Sequence, residues 1–177
     1  MEIAIQPIRQ EDIYRLWEIG FSKPKEWMTW NAPYFKEKNI YTYEEFLQLS
    51  FYHSESFYGV YANQHLVGSV SYYWENKETK WLEIGGVIYD ENYWNQSIGS
   101  KALSLLITHI FVTFPDLEHI GLTTFSKNQR MMACALKIGM MQEACIRKVR
   151  YWNGVYYDSV KYGILREEWE KIEDNYG

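Results

Sequence analysis

Residues 81–100 read WLEIGGVIYDENYWNQSIGS and contain a predicted strand, a loop and the beginning of a helix. The run at residues 81–89 is apolar except for Glu83, which is typical of a buried strand. After the polar loop, apolar residues recur at helical spacing over residues 96–113 and predict a helix with one buried face. The predicted face comprises Ile98, Ala102, Leu105, Leu106, His109 and Ile110.

The junction between this strand and this helix is a candidate anion-binding site. The first turn of a helix leaves backbone N–H groups without partners at the positive end of the helix dipole, where phosphates bind. Gly99 and the small residues Ser97 and Ser100 would let a pyrophosphate approach the backbone closely. An ordinary helix cap is the alternative interpretation.

Strands and helices are also predicted on both sides of this segment. Asn153-Gly154 suits a type I′ hairpin turn, Asn63-Gln64-His65 is a second predicted turn, and Gly139 stands where a helix C-terminal glycine belongs. The order of elements predicts an α+β fold around one mixed sheet, in a single domain over residues 1–177. Strands are predicted at residues 3–8, 56–62, 66–74, 81–89, 118–124, 147–152 and 155–164, and helices at 11–18, 43–50, 96–113, 128–138 and 166–173.

Composition excludes several classes of function. The chain has 177 residues, 47% hydrophobic residues and a net charge of −5, without a run of basic residues, so nucleic-acid binding is disfavoured. No segment resembles a signal peptide or a membrane-spanning helix, so no membrane partner is expected. The aromatic content of 18% suits a core but also suits a pocket for small organic groups. A cytoplasmic enzyme or binding protein fits these features best.

The cysteines and histidines predict neither a disulfide framework nor a metal site. Cys134 and Cys145 are the two cysteines, and neither belongs to a CxxC pair. The four histidines lack metal-ligand spacing, so no metal is proposed. His109 is predicted to be packed in the core.

Four segments together resemble the GNAT family of N-acetyltransferases. YWNQSIGSKAL resembles the acetyl-CoA loop, whose pattern is Arg/Gln-x-x-Gly-x-Gly/Ala: Trp94 takes the first position, Ser97 replaces the first glycine and Gly99 keeps the second. LEIGGVIY resembles the strand before that loop, and SKNQRMMACALKIGMMQEA resembles a later segment of the family. RKVRYWNGVYYDSVKYGILREEW resembles the terminal hairpin of the ribosomal-protein N-terminal (Rim-type) branch.

The resemblance covers about residues 54–170 and implies a fold. We expect a GNAT fold with a mixed, mostly antiparallel sheet of about seven strands, helices on both faces and a splayed central pair of strands. The splay is expected to follow a bulge, and Gly85-Gly86 lie where that bulge would form.

The resemblance also implies acetyl-CoA as the cofactor. Val87, Ile88 and Tyr89 are expected to pair with the pantetheine arm, and Asn128 is expected to bind cofactor or substrate, to cap a helix, or both. The residues expected at the pyrophosphate are Trp94, Asn95, Gln96, Ser97, Ile98, Gly99 and Ser100.

Glu83 is the candidate base that would take a proton from the acceptor amine, and a structural carboxylate is the competing interpretation. The acid is harder to predict, because Ala135 stands where many GNAT enzymes have a Tyr and Met131 where Rim-type members often have a Ser. Three explanations stay open: another hydroxyl protonates the thiolate, solvent helps it leave, or the protein is catalytically impaired. The alternative hydroxyls are those of Tyr93, Tyr156 and Tyr157.

Trp27, Trp30 and Tyr34 lie in the region that covers the acceptor side in this family, so they are candidate substrate-binding residues. A hydrophobic cover for the sheet is an alternative interpretation with at least as much support. The predicted function is transfer of an acetyl group to a small-molecule or peptide amine. The favoured acceptor is a protein N-terminus, and a polyamine is the alternative acceptor. A non-catalytic acyl-CoA-binding module is the alternative class of function. The resemblance also allows for a homodimer.

Overall fold

The computed structural model describes residues 1–176 and contains one seven-stranded sheet in the order β1-β2-β3-β4-β5-β7-β6. Strands β4 and β5 are parallel, and every other neighbouring pair is antiparallel. The strands are β1 (Ile3–Gln6), β2 (Phe57–Ala62), β3 (His65–Asn76), β4 (Trp81–Ile88), β5 (His119–Phe125), β6 (Met141–Trp152) and β7 (Val155–Leu165).

Helices cover both faces of this sheet, which confirms the predicted GNAT architecture. They are α1 (Ile13–Gly20), α2 (Tyr43–Leu47), α3 (Ile98–Thr113), α4 (Gln129–Lys137) and α5 (Arg166–Tyr176). The larger core joins α3, Ala135 of α4 and Trp169 of α5 to one face of the sheet. The smaller core joins α1 and Phe46 of α2 to the other face. Within the described residues, no helix is both long enough and apolar enough to cross a bilayer.

The turn predictions agree with the backbone. Asn153 and Gly154 both have positive φ, at 51° and 79°, as a type I′ turn requires. Gly139 has a φ of 98° just after α4, which confirms it as the helix C-terminal glycine. Asn63 and Gln64 also have positive φ, so this hairpin turn has two residues and His65 already belongs to β3.

The predicted buried face of α3 is partly wrong. Leu105 is 41% exposed, and His109 is exposed and bonds the Tyr58 hydroxyl at 3.0 Å, so neither is a core residue. Leu103 and Ile107 are buried in their place. The helix is apolar over much of its circumference, so the spacing of apolar residues does not determine which of them form the buried face.

The predicted bulge at Gly85-Gly86 is also wrong, because β4 pairs with β3 in unbroken register through both glycines. A Cβ on Gly86 would lie 2.9 Å from the Val70 side chain and 3.1 Å from the Ser69 carbonyl oxygen. Close packing between strands, rather than a bulge, therefore requires glycine at this position.

The central strands splay as predicted. The parallel pairing of β4 with β5 consists of Leu82↔Ile120 and Glu83↔Gly121. Beyond Glu83 the strands separate while each keeps its other neighbour. The gap between them is the structural basis of the site.

Candidate active site

The gap between β4 and β5 opens into a cleft of about 360 Å³ at the ends of β4, α3 and α4. Most of the predicted cofactor and substrate residues contribute to its lining. Those that do are Trp27, Trp30, Val87, Ile88, Trp94, Asn95, Ser97, Ile98, Gly99, Ser100 and Asn128. Glu83, Tyr89, Gln96 and Tyr34 are not part of the lining.

Helix α3 begins at this cleft without a side-chain cap. Ser97, its N-cap residue, has a φ of 60° and makes no capping hydrogen bond. The first backbone N–H groups of the helix therefore have neither an intrahelical partner nor a cap. A Cβ on Gly99 would meet only Ile88, at 3.9 Å, so the backbone is open to close approach.

Two cations stand at the same end of the cleft. Lys137, the last residue of α4, donates from Nζ to the Ser97 hydroxyl at 2.5 Å. Arg130 also lines the cleft, with its guanidinium 4.4 Å from the Trp94 ring centroid. An uncapped helix N-terminus flanked by cations fits the phosphates of a CoA-type cofactor. Neither cation is among the residues predicted to bind the cofactor, although both lie in the segment SKNQRMMACALKIGMMQEA, which resembles the family.

The free edge of β4 supplies polar groups that could pair with the cofactor's extended arm. The Tyr89 N–H donates to the Val67 carbonyl at 2.9 Å, so Val87 and Tyr89 direct their backbone groups toward β3. By alternation, Gly86 and Ile88 direct theirs into the gap. The expected backbone role for Val87 and Tyr89 is therefore wrong, and that for Ile88 is retained. The Trp94 indole N–H already donates to the Ile88 carbonyl at 2.7 Å, which holds the loop against the strand.

Tyr89 and Gln96 also have other partners. The Tyr89 ring is 5% exposed in the smaller core, and its hydroxyl lies 2.7 Å from that of Ser69. Burial raises the pKa of Tyr89 to about 12. The Gln96 side chain is exposed and donates to the Asn92 carbonyl at 2.8 Å, within its own loop. Neither side chain is placed to contact a ligand in the cleft.

Glu83 is a buried carboxylate on the sheet face opposite α3, since its neighbours Leu82 and Ile84 point into the larger core. Its side chain is surrounded by polar groups, although the residue is only 2% exposed. The Tyr73 hydroxyl donates to it at 3.2 Å and the Thr123 hydroxyl at 2.5 Å, while Lys161 Nζ lies 4.0 Å away. We call this surface, which carries Glu83, Thr123 and Lys161, the Glu83 face.

The Glu83 face can hold a proton close to the point where the strands separate. Burial, and next the charge of Glu83, raise the pKa of Tyr73 well above its usual range, so the phenol stays a donor. A side chain on Gly121 would press on Glu83 at 3.2 Å, so this glycine makes room for the carboxylate. The structural and the catalytic interpretation of Glu83 therefore share the same contacts.

The three predicted aromatic residues occupy different environments. Trp27 is 6% exposed, and its indole N–H donates to the Gly20 carbonyl at 2.9 Å, so it is mainly a core residue with one edge at the cleft. Trp30 lines the cleft, and Lys127 Nζ lies 3.8 Å from its ring centroid. Tyr34 packs edge-on against Phe125, with ring centroids 5.1 Å apart.

Asn128 uses both ends of its amide. Its Oδ1 accepts from the Met131 N–H at 3.1 Å and caps α4, as predicted. Its Nδ2 donates to the Trp30 carbonyl at 3.1 Å and ties the aromatic segment to the cleft.

Of the three tyrosines considered as acids, only Tyr93 lines the cleft. Tyr156 is 62% exposed, and Tyr157 packs edge-on against Phe125. Cys134 also lines the cleft, 3.3 Å from the Ser100 hydroxyl, and burial raises the pKa of its thiol. Among the described residues, no group of three or more His, Cys, Asp or Glu could hold a metal ion.

Residues 2–141 match the family described as acetyltransferase (GNAT) domain. A curated relative, the uncharacterized N-acetyltransferase YoaA of Bacillus subtilis, is 28% identical over 101 residues. The match covers 57% of this chain and 56% of that protein, so the chain spans little more than half the length of this relative.

Two solved structures share the fold. Spermidine N-acetyltransferase from Vibrio cholerae, in complex with CoA and spermine, gives a TM-score of 0.75 at 16% identity over 95% of this chain and 98% of that chain. RimL, a ribosomal L7/L12 alpha-N-protein acetyltransferase in complex with coenzyme A, gives a TM-score of 0.74 at 20% identity, over 92% of this chain and 93% of that chain. The splayed strands, the uncapped helix and the extent of the family match agree, and the chain belongs to the GNAT acetyltransferase family.

Proposed function

We propose that this protein is an acetyl-CoA-dependent N-acetyltransferase that acetylates a protein N-terminus by direct attack within a ternary complex. The cofactor supplies an acetyl thioester when it is bound. The α3 N-terminus, Lys137 and Arg130 bind its phosphates, and the β4 edge at Gly86 and Ile88 orients its arm. The same edge offers N–H groups to the oxygen that becomes negative during attack.

Glu83 takes the proton from the amine, directly or through water. It lies beside the last pairing of β4 with β5, where the strands separate. The hydroxyls of Tyr73 and Thr123 hold the carboxylate in place. A peptide N-terminus has a pKa of about 8, compared with about 10 for an alkylamine, so a larger fraction is neutral at pH 7 and less help from a base is needed.

The acceptor assignment rests on the charge of the cleft. Its described lining residues include no Asp or Glu, and its two cations, Arg130 and Lys137, serve the phosphates of the cofactor. A polyamine carries further ammonium groups beside the reacting amine, and these would need carboxylate partners inside the cleft. A peptide N-terminus presents one amine followed by an uncharged backbone, which these surroundings suit better.

A non-catalytic acyl-CoA-binding module is the second candidate. It is favoured by Ala135 and Met131, which place no hydroxyl at either position where the family resemblance implies the acid. The Tyr93 hydroxyl and the Cys134 thiol also line the cleft, and neither occupies those positions.

The test is an acceptor screen with purified protein and acetyl-CoA. Peptides with varied N-termini and a set of polyamines are compared by release of free CoA and by the gain of one acetyl group in mass. Acetylated peptide N-termini with polyamines unused is the expected result. Preferred acetylation of a polyamine would overturn the acceptor assignment. Saturable acetyl-CoA binding without CoA release for every acceptor would favour the binding module.

A further inference from the structure

We propose that the acceptor carries an anionic group, such as an Asp or Glu side chain, close to the amine that is acetylated. This inference rests on the proposed function and deepens it by naming the substrate class. It is carried by two half-buried cations beside the acceptor side of the cleft, Arg150 and Lys127, which we call the rim cations.

Aromatic rings hold Arg150, and no carboxylate of the described residues pairs with it. Its guanidinium lies 4.6 Å from the ring centroid of Tyr34 and 5.4 Å from that of Phe35. Its Nε is buried without any hydrogen-bond partner among the described residues. None of the ion pairs found in the described part of the chain involves Arg150.

Lys127 is held in the same way on the other side. Its Nζ lies 3.8 Å from the Trp30 ring centroid and 4.9 Å from that of Trp152, and it donates to the Thr29 carbonyl at 3.2 Å. Glu26 accepts the Trp30 indole N–H at 3.0 Å and forms no ion pair with Lys127.

The rim cations lie near the Glu83 face. Thr123 bonds Glu83, and Phe125 points to the same side two residues later along β5. Tyr34 packs on Phe125 and stacks with Arg150, so the guanidinium lies one ring away from the side chains of the Glu83 face. Lys127 lies two residues after the end of β5 and precedes Asn128, which lines the cleft.

A half-buried guanidinium that pairs with no carboxylate of the described residues favours a carboxylate ligand. Taking a cation out of water is unfavourable unless it is paired, and aromatic rings replace only part of its hydration. A carboxylate would bind the two terminal nitrogens of Arg150 in a two-pronged contact, because Nε itself is buried and out of a ligand's reach. An acceptor with extra positive charge would be repelled by the same groups.

The experiment uses three octapeptides that differ only at the second residue, which is Asp, Asn or Lys. Each is assayed with the unaltered protein and with the variants Arg150→Gln, Lys127→Gln and Arg147→Gln. Arg147 lies on the same strand, is exposed and forms no ion pair among the described residues, so it controls for the loss of one charge. A second set contains 4-aminobutanoate, 4-aminobutanamide and 1,4-diaminobutane.

We expect kcat/KM for the Asp peptide to exceed that for the Asn peptide by about tenfold, with the Lys peptide poorest. Arg150→Gln should reduce the ratio of Asp to Asn to about 1, with little change in the KM for acetyl-CoA. Arg147→Gln should preserve the ratio. Lys127→Gln should reduce it in part.

Equal use of the Asp and Asn peptides would overturn this inference while leaving the proposed function in place. Weaker acetyl-CoA binding by Arg150→Gln at an unchanged peptide ratio would also overturn it, because the cation would then serve the cofactor. Acetylation of 4-aminobutanoate with every peptide unused would overturn the N-terminal assignment and support the inference. Preference for 1,4-diaminobutane would overturn both.

Discussion

The ammonium group of Lys137 donates a hydrogen bond to the hydroxyl of Ser97 over 2.5 Å. This contact joins the last residue of α4 to the N-cap residue of α3. It places a positive charge beside backbone N–H groups that have no cap of their own. Three features that favour an anion, the helix dipole, the free N–H groups and an ammonium, therefore coincide.

Replacing Lys137 should weaken cofactor binding specifically. We expect Lys137→Met to raise the Kd for acetyl-CoA by about tenfold, because one charge-assisted contact to phosphate is lost. Calorimetric titration at low and high salt measures this, and the difference should shrink at high salt. Lys171→Met, on the exposed side of α5, is the control. Equal affinities for the two variants would remove Lys137 from the cofactor site.

Glu83→Gln separates the catalytic from the structural interpretation of this carboxylate. The amide has the same shape and can still accept from Tyr73 and Thr123, so the fold should survive. We expect turnover at neutral pH to fall at least about tenfold with the Kd for acetyl-CoA little changed. Glu143→Gln is the matched control, since Glu143 on β6 pairs with His119 on β5 at 2.8 Å, across Gly163 of β7. Unchanged turnover would make Glu83 purely structural.

The neighbouring glycines of β4 should respond differently to alanine. A Cβ on Gly85 would meet nothing within 4 Å, on the same side of the strand as Glu83. If the amine approaches there, Gly85→Ala should keep its Tm and lose much of its kcat/KM. The Cβ of Gly86→Ala would instead crowd Val70 and the Ser69 carbonyl. This variant should lose about 1–3 kcal/mol of unfolding free energy, and its Tm should fall by several degrees. Full activity in Gly85→Ala would show that the space is unused.

The buried Tyr89 should make stability fall at high pH. Its pKa is 10.0 in the unfolded reference and about 12 in the fold, so its contribution is complete below pH 10 and is lost as pH rises through 12. The loss is about 2–3 kcal/mol. Urea unfolding between pH 9 and pH 12 should show a smaller slope with pH for Tyr89→Phe. Tyr156→Phe, at a side chain that is 62% exposed, should keep the original slope.

Local signals in the sequence predicted the fold well. The positive φ of Gly154 and Gly139 follows from residue type and position, because few other residues adopt it without strain. Asn128 was similarly recognisable, since a side chain that caps a helix acts within a few residues. These turns and caps depend on residues that are close together in the chain, so they can be predicted from the sequence alone.

The errors and omissions involve contacts between distant segments. Glycines at 85 and 86 suggested a bulge, whereas Gly86 is needed because Val70 and Ser69 pack against it from β3. Lys137 meets Ser97 forty positions away, and its role depends on how α4 docks beside α3. The groups that surround the Glu83 carboxylate come from three other strands. The alternation of residues along β4 therefore predicts which face of the sheet Glu83 occupies, but not which side chains contact it.

The short pairing between β4 and β5 has a consequence for the protein's resistance to proteolysis. Two residue pairs join the half of the sheet formed by β1–β4 to the half formed by β5–β7. A bound cofactor that pairs with the β4 edge would add contacts in the gap between the two halves of the sheet. Resistance to proteolysis would then rise and fall with the supply of acetyl-CoA, because a ligand that binds only the native state shifts the folding equilibrium.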